Sequence, residues 1–202
     1  MYKKILSWFL KKVDKWINKL LKLKTFISYS IYMYDFGYKK SDIYVVTYPR
    51  SGTTLMQMIL YQMLSDGRLN FKHLYDVSPW IRNDVYEGIN ANKTLQNPRI
   101  IKSHDPYKDF DPQVSGKIIF ILRDGLDAMY SLYKQKVDYG NPELTLEKFS
   151  NSIIKNNQTK WFNFNLPWLI NSKKKDILYL TYNEIVDNKK ATIEKISSFL
   201  QV

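Results

Sequence analysis

From residue 40 onward, segments with the hydrophobic pattern of β-strands alternate with segments whose hydrophobic residues have the spacing of α-helices. Short β-prone runs predict strands at Ile43–Thr47, Arg99–Lys102, Lys117–Leu122 and Ile177–Thr181. Apolar residues three and four positions apart predict helices at Thr53–Leu64, Leu126–Val137, Leu146–Asn156, Thr159–Asn171 and Asn188–Leu200. Pro167 falls inside the fourth helix and should disturb it. This alternation is typical of an α/β domain with a central parallel sheet that helices cover on both faces.

The first 24 residues carry an apolar stripe at helical spacing, flanked by lysines. The stripe consists of Ile5, Trp8, Phe9, Val13, Trp16, Ile17, Leu20 and Leu21. Eight lysines and one aspartate give this segment a net charge of +7, more than half of the +12 of the whole chain. Lysines beside an apolar face with two tryptophans are typical of a helix that lies in a membrane interface. The alternative interpretations are a helix packed on the domain or on a partner, and an uncleaved targeting element.

The composition is that of a globular protein with a sizeable core. The chain has 202 residues, of which 45% are hydrophobic, and it has no cysteine. The lack of cysteine excludes a disulfide framework, argues against a structural zinc site and fits a reducing compartment. We therefore expect a cytoplasmic protein, peripheral at a membrane surface if residues 1–24 bind one. We divide the chain into a basic amphipathic helical segment, residues 1–39, and an α/β domain, residues 40–202.

The most informative segment follows the first predicted strand and reads Tyr48-Pro49-Arg50-Ser51-Gly52-Thr53-Thr54. A tight loop between a strand and a helix presents unpaired N–H groups and the positive end of the helix dipole. Gly52 lets the backbone approach a ligand closely, the hydroxyls add donors, and Arg50 adds positive charge. Such a loop suits a phosphate or sulfate group. It differs from the nucleoside triphosphatase loop, because G-x-x-x-x-G-K-[ST] is absent, which also disfavours a nucleotide kinase.

Two further clusters lie at predicted strand ends, where parallel α/β proteins build their sites. Lys102 and His104 are two residues apart, so their side chains should project to one face. A histidine there suits general-base work on a hydroxyl, although a strand-end histidine taken alone is more often structural. Arg123 comes directly after a strand and suits a doubly charged phosphate. The alternative for Arg123 is an Arg–Asp pair that caps the next helix.

In their order and spacing these clusters resemble the motifs of the sulfotransferase superfamily. The first loop is similar to the family's 5′-phosphosulfate loop, which is T-Y-P-K-S-G-T-T-W in the cytosolic branch. Lys102-Ser103-His104 is similar to K-T-H, Arg123 with Ser131 to the 3′-phosphate motif R-x₇-S, and Tyr182-Asn183-Glu184 to Y-E-D. Lys160-Trp161-Phe162 falls where family members often have a Trp-aromatic pair. The resemblance covers about residues 40–202.

The resemblance implies a P-loop-like three-layer α/β fold and a sulfotransferase activity. The implied reaction moves a sulfuryl group from 3′-phosphoadenosine-5′-phosphosulfate (PAPS) to an acceptor hydroxyl by in-line displacement. PAPS is the expected co-substrate, and neither a metal nor a nucleic-acid partner is expected. The implied acceptor is a hydroxyl of a small molecule, a carbohydrate or a lipid.

The resemblance also assigns roles to single residues. The loop residues Ser51, Gly52, Thr53 and Thr54 would hold the 5′-phosphosulfate through their amides. Arg50 and Lys102 would stabilise charge on the bridging and sulfuryl oxygens, and His104 would take the proton from the acceptor. The 3′-phosphate would be recognised by Arg123 and Ser131, and the adenosine would be contacted by Tyr182.

Three features depart from the cytosolic branch. Arg50 replaces a lysine, which keeps the charge and points to a different subfamily. Leu55 stands in place of a tryptophan that stacks on adenine, so the contact area is smaller. The sequence ends at Val202 without the basic R-K-G-x-x-G segment that closes over the 3′-phosphate. A truncated product, a more open donor site and a loss of donor binding are the alternatives.

Two functions are therefore retained. One is an active sulfotransferase, and the other is a catalytically degenerate protein of the same fold that binds a nucleotide or a membrane surface. Residues 66–98, which show no clear period, and residues 138–160 are the expected acceptor loops. Their aromatic side chains, which could line an acceptor site or simply pack, are Phe71, Tyr75, Trp80, Tyr86 and Tyr139.

Overall fold

The computed structural model describes residues 2–65, 67–91, 94–110, 115–155, 160–171 and 176–202. The strands within these residues are β1 (Ile43–Thr47), β2 (Ile100–Ser103), β3 (Lys117–Leu122) and β4 (Ile177–Thr181). The helices are α1 (Tyr2–Phe36), α2 (Thr53–Leu64), α3 (Leu74–Val77), α4 (Ile81–Glu87), α5 (Gly125–Tyr139), α6 (Leu146–Lys155), α7 (Lys160–Ile170), α8 (Tyr182–Asp187) and α9 (Lys189–Leu200). A 3₁₀ turn covers Tyr107–Asp109.

The strands form one parallel sheet in the order β2-β1-β3-β4. Ile43 lies opposite both Ile100 and Lys117, and Ile118 lies opposite Ile177. The chain leaves β1 toward β2 and then returns to place β3 on the other side of β1. In open α/β sheets such a reversal of strand order opens a crevice at the carboxyl ends of the strands.

Helices cover both faces of this sheet. Successive strand side chains point to opposite faces, so the strands place apolar side chains on both faces, and helices bury them. On one face Val45 and Ile119 are buried in a cluster that includes Met56 and Leu60 of α2 and Ile196 of α9. On the other face the Phe120 ring lies 6.2 Å from the Phe164 ring and 5.5 Å from the Trp168 ring. Both of these aromatic residues belong to α7. The predicted three-layer α/β fold with a central parallel sheet is confirmed.

A buried ion pair ties together the amino ends of three strands. The carboxylate of Asp42 accepts two hydrogen bonds of 2.7 Å from the guanidinium of Arg99, just before β2. The backbone oxygen of Asp42 accepts a bond from Lys117 N at the start of β3. Since Asp42 directly precedes β1, one residue sets the alignment of β1, β2 and β3.

Several boundaries differ from the sequence predictions. The strand β2 is shifted by one residue, and α7 runs through Pro167 to Ile170, one residue short of the predicted end at Asn171. Helix α8 was not predicted; Thr181 begins it by accepting a bond from Glu184 N, while Glu184 accepts one from Thr181 N. Asn156, the predicted last residue of one helix, and Thr159, the predicted first residue of the next, lie outside the described residues.

The chain divides into two compact units. One consists of Met1–Gly37 with Ile81–Thr94, and the other of Tyr38–Trp80 with Leu95–Val202. In the first unit the Tyr32 hydroxyl donates to the Asp84 carboxylate at 3.0 Å, and the Arg82 guanidinium lies over the Tyr29 ring. The predicted boundary between residues 39 and 40 stays a prediction. Among the described residues, no helix has the length and apolar character needed to cross a membrane.

Candidate functional site

A cleft of about 500 Å³ lies at the carboxyl ends of β1, β2 and β3. It is lined by Pro49, Arg50, Gly52, Thr53, Thr54, Leu55, Tyr75, Trp80, Lys102, His104, Arg123, Ser131, Gln135 and Tyr182. Every site residue predicted from the sequence lines this cleft except Ser51, which is fully buried in the loop behind it. The structure therefore brings the separate motifs together at the reversal of strand order.

The loop after β1 depends on left-handed backbone at two residues. Arg50 has φ of 68° and Gly52 has φ of 96°. A Cβ atom at Gly52 would lie 2.8 Å from a ring carbon of Tyr182, so a side chain there would displace either the loop or the tyrosine. Glycine is therefore required at this position by backbone conformation and by close approach together.

The start of α2 offers hydrogen-bond donors without acceptors. Gly52 caps the helix with no side-chain bond, and the first intrahelical bond runs from Met56 N to Gly52 O at 3.0 Å. The N–H groups of the preceding residues, Thr53 to Leu55, therefore have no acceptor within the helix. The buried Ser51 hydroxyl also has no hydrogen-bond partner among the described residues. An anion at this helix start would accept bonds from the free N–H groups of α2.

Two arginines extend the positive charge from this loop toward α5. Arg50 donates from Nε to the Ser131 hydroxyl at 3.1 Å, and Arg123 donates to the Arg50 backbone oxygen at 2.8 Å. The Arg123 Nε is buried and has no partner within the described residues. An anionic ligand at Arg123 and Ser131 would supply an acceptor for that nitrogen.

The alternative role of Arg123 in a capping pair is not observed. Asp124 caps α5 by accepting bonds from Leu126 N and Asp127 N at 2.8 and 3.1 Å. Arg123 makes no ion pair with Asp124 in the described part of the chain; its guanidinium carbon instead lies 4.2 Å from the centre of the Tyr182 ring. The Trp161 indole donates to the Arg123 backbone oxygen at 3.1 Å, which fixes the strand end.

Lys102 lies in an aromatic corner of the cleft. Its ammonium donates to the Tyr75 hydroxyl at 2.6 Å and lies 4.3 Å from the centre of the Trp80 ring. The Trp80 ring reaches Lys102 because Trp80 forms a parallel β-bridge with Lys102. In this bridge Lys102 N of β2 donates to Pro79 O. Burial, with the charge of Arg50 as a second cause, lowers the pKa of Lys102 to about 8. Lys102 is therefore a cation near neutral pH that loses its charge in mildly alkaline solution.

His104 is held in one tautomer by β1. Its Nδ1 lies 2.8 Å from the backbone oxygen of Thr47, which can only accept, so Nδ1 carries the hydrogen. The Nε2 atom is then unprotonated and makes no hydrogen bond within the described residues. Burial is the main cause that lowers the pKa of His104 to about 4; the Lys102 charge adds to it, and the bond to Thr47 opposes it. At neutral pH His104 is therefore a neutral acceptor of a proton.

A second cavity of about 630 Å³ shares His104 with the cleft. Its other lining residues are Tyr48, Pro49, Pro106, Tyr107, Lys108, Lys160, Asn163, Phe164, Leu166 and Pro167. Among the described residues of the expected acceptor loops, Lys160 alone lines it. Of their aromatic residues, Tyr75 and Trp80 line the first cleft, Phe71 packs against Tyr61, and Tyr86 and Tyr139 are exposed.

Sequence reasoning missed two residues of the site. Thr47 fixes the His104 tautomer, but this contact depends on the pairing of β1 with β2, which one sequence does not specify. Gln135 lines the cleft one turn beyond Ser131 on α5, and its spacing of four residues could have identified it. No group of three or more His, Asp or Glu side chains that could hold a metal occurs among the described residues.

The arrangement suits a ligand with two anionic groups. Gly52, Thr53 and Thr54 at the start of α2 form one donor group, and Arg123 with Ser131 forms another on the neighbouring strand and helix. A neutral imidazole lies in the wall between this cleft and the second cavity.

Comparison with known proteins identifies the family. The sequence model described as "Sulfotransferase domain" matches residues 40–202. The 3-beta-hydroxysteroid sulfotransferase of Cavia porcellus is 30% identical over 172 residues, which cover 80% of this chain and 59% of the relative. Sulfotransferase 1B1 of Mus musculus is 32% identical over 182 residues, which cover 82% and 60% of the two chains. The chain thus spans about three fifths of the length of these relatives.

Solved structures show the same fold. A mouse sulfotransferase in complex with PAP (3′-phosphoadenosine-5′-phosphate) superimposes with a TM-score of 0.63 at 24% identity. The match covers 81% of this chain and 59% of that one. A retinol dehydratase in complex with androsterone and inactive cofactor PAP superimposes with a TM-score of 0.67 at 16% identity. This match covers 83% of this chain and 62% of that one. With the family model matching most of its length, this chain belongs to the sulfotransferase family.

Proposed function

We propose that this protein transfers a sulfuryl group from PAPS to an acceptor hydroxyl, with His104 as the base. The observation that carries the proposal is the position of His104, which lies between two cavities with an unprotonated Nε2. An in-line displacement needs the donor and the acceptor on opposite sides of the transferred group. Two cavities that meet at one base provide that arrangement.

The donor is proposed to occupy the first cleft. Its 5′-phosphosulfate would accept hydrogen bonds from the amides of Gly52, Thr53 and Thr54, which line the cleft at the start of α2. Its 3′-phosphate would accept from the Ser131 hydroxyl and from the guanidinium of Arg123, which both line the cleft. The adenosine would lie between Leu55 and Tyr182, which both line the cleft. Relatives whose structures contain PAP support this assignment.

In the proposed step the acceptor oxygen forms a bond to sulfur while the bond from sulfur to the phosphate oxygen breaks. The hydroxyl proton moves to Nε2 of His104, and the departing phosphate carries away the electron pair of the broken bond. Arg50 and Lys102 stabilise the negative charge that develops on the bridging and sulfuryl oxygens. His104 then returns its proton to solvent.

The acceptor is proposed to be a small molecule with a hydroxyl group that enters the second cavity. Tyr107, Phe164 and Pro167 give this cavity an apolar wall, and relatives named for hydroxysteroids support an apolar acceptor. Hydroxyls of carbohydrates and lipids are the other acceptor classes.

We also propose that the protein is cytoplasmic and that it contacts a membrane through residues 1–24.

The test combines donor binding with turnover. We expect PAP to bind in a calorimetric titration, and label from ³⁵S-labelled PAPS to appear on at least one member of an acceptor panel of hydroxysteroids, phenols and sugars. His104→Ala should abolish label transfer while PAP binding persists, because the base acts on the acceptor. His73→Asn is the matched control, since it removes the other histidine and retains the capping function of that residue at α3.

Two outcomes would overturn the proposal. Full label transfer by His104→Ala would show that His104 is not the base. Binding of PAP without transfer to any acceptor would favour the second candidate, a degenerate protein that only binds the nucleotide.

A further inference from the structure

Helix α1 has two apolar faces, and they lie on opposite sides of it. Successive helical residues are rotated by about 100°, so positions three, four, seven and eleven apart share a face. Tyr29 and Tyr32 contact α4, and Met33 and Phe36 share their face and are buried. The face that packs within this unit is therefore fixed by these residues.

The same face becomes polar toward the start of the helix. Residues eleven, fourteen and eighteen positions before Phe36 are Thr25, Lys22 and Asn18, and all are exposed. The packing face thus ends within the last third of α1. A longer packing contact on this side would bring polar and charged side chains against the partner element, which is unfavourable.

The opposite face remains apolar along most of the helix. It consists of Phe9, Trp16, Leu20, Ile27, Ile31 and Tyr34, spaced by seven, four, seven, four and three residues. All of them are exposed; Phe9, Trp16 and Leu20 expose 60%, 66% and 60% of their surface. Because this stripe points away from the face that packs on α4, the packing of α1 within its own unit does not account for it.

Lysines border one edge of this stripe and surround a tryptophan. Lys12, Lys15 and Lys19 enclose a surface pocket of about 310 Å³ beside Trp16. The Lys12 ammonium lies 4.1 Å from the Trp8 ring centre, and the Lys19 ammonium lies 5.7 Å from the Trp16 ring centre. Lysine stems that lie along aromatic rings keep their charges at the boundary between apolar and polar surroundings.

We infer that α1 is an in-plane membrane-binding helix that selects bilayers with anionic lipids. The stripe from Phe9 to Tyr34 enters the boundary between headgroups and acyl chains, and the lysine pocket at Trp16 binds an anionic headgroup. Charge complementarity favours an anionic bilayer over a second copy of the chain as the partner of this face. A second copy would bring another strongly basic helix to the same edge. The inference rests on the proposed membrane contact of residues 1–24 and specifies its lipid, and it does not depend on the sulfuryl-transfer reaction.

The test is co-sedimentation of the full chain with phosphatidylcholine vesicles, with and without phosphatidylserine. We expect sedimentation only with phosphatidylserine, and weaker binding at high salt. Lys12→Glu/Lys15→Glu/Lys19→Glu should lower the apparent affinity by at least about tenfold. The matched control is Lys148→Glu/Lys189→Glu/Lys190→Glu, which changes the net charge equally at exposed lysines outside α1.

A second pair of variants tests the apolar stripe. Trp16→Ala/Leu20→Ala should also lose vesicle binding, whereas Tyr139→Ala/Ile170→Ala, which removes exposed apolar side chains outside α1, should keep it. Alanine favours the helix, so the first variant retains α1. Failure to sediment with either vesicle would overturn the inference, as would equal loss of binding in the two charge-reversed variants. Dimers in light scattering that Trp16→Ala/Leu20→Ala dissociates, without vesicle binding, would assign the stripe to a second copy instead.

Discussion

The ammonium of Lys102 lies 2.6 Å from the hydroxyl of Tyr75. Because a charged lysine can only donate, the phenol oxygen accepts this bond and stabilises the charged form. Burial and Arg50 act in the opposite direction and lower the pKa of Lys102 to about 8. Tyr75 is therefore a positioning residue that helps to keep a buried cation charged in the proposed reaction.

Removal of the Tyr75 hydroxyl should move the pH dependence of turnover. Tyr75→Phe deletes the acceptor, so the pKa of Lys102 should fall further, and the alkaline decline of kcat/KM should begin at lower pH. Rate profiles across neutral and alkaline pH would measure the change. Tyr86→Phe, at an exposed tyrosine, should leave the profile in place. An identical alkaline limb in Tyr75→Phe and wild type would refute this role of the hydroxyl.

The buried imidazole of His104 should make stability depend on pH in the acidic range. The unfolded chain binds a proton with a pKa near 6.5, whereas the folded chain resists protonation until about pH 4. Between these values the unfolded state binds more protons, so stability is lost as pH falls through this window. The loss from His104 between about pH 7 and about pH 5 is on the order of 2 kcal/mol.

Urea unfolding at the two pH values would measure this loss. His104→Gln removes the titrating group, so its unfolding free energy should depend less on pH than that of the wild type. His73→Gln controls for the loss of a histidine outside the buried site. Equal slopes with pH in His104→Gln and wild type would contradict the assignment of a neutral, buried His104.

Gly52→Ala should weaken both folding and anion binding. The new Cβ would lie 2.8 Å from Tyr182 on a backbone with φ of 96°, and we expect a loss of about 1–3 kcal/mol in unfolding free energy. PAP binding should fall with it, because the loop that presents the amides is displaced. Gly67→Ala is the matched control, since φ there is 76° and a Cβ meets nothing within 4 Å. Similar losses in both variants would assign the effect to backbone strain rather than to the Tyr182 contact.

Arg123→Ala should weaken donor binding. A hydrogen bond to a charged group contributes about 1.5–3 kcal/mol, so PAP should bind roughly tenfold to a hundredfold more weakly in calorimetry. Lys190→Ala, which removes an exposed charge on α9, should bind PAP as the wild type does. Equal affinities for Arg123→Ala and wild type would exclude Arg123 from the donor site.

The sequence predicted the elements that carry strong local signals. Helix α2 begins at Thr53 and ends at Leu64 as predicted, because a turn with glycine precedes it and its apolar spacing is regular. Helix α8 was missed although Thr181 and Glu184 have the spacing of a capping box, since its six residues are too few to show a helical period. The motif residues lie around one cleft, because the strand ends of a parallel sheet meet at one edge.

Contacts between distant segments could not be predicted. The bond from His104 to Thr47 joins residues 57 positions apart and depends on strand register. The second cavity depends on α7, which continues past Pro167 and places Phe164 and Pro167 near His104. No local pattern in the sequence encodes either relationship.

The ion pair of Asp42 and Arg99 separates two tasks within one sheet. It aligns β1, β2 and β3 at their amino ends, while the loops at the carboxyl ends carry the polar groups of the cleft. Exchange of the segments that line the second cavity should therefore leave the strand alignment intact. A protein engineer could graft new acceptor loops onto this chain and retain the donor cradle, provided that Asp42 and Arg99 are kept.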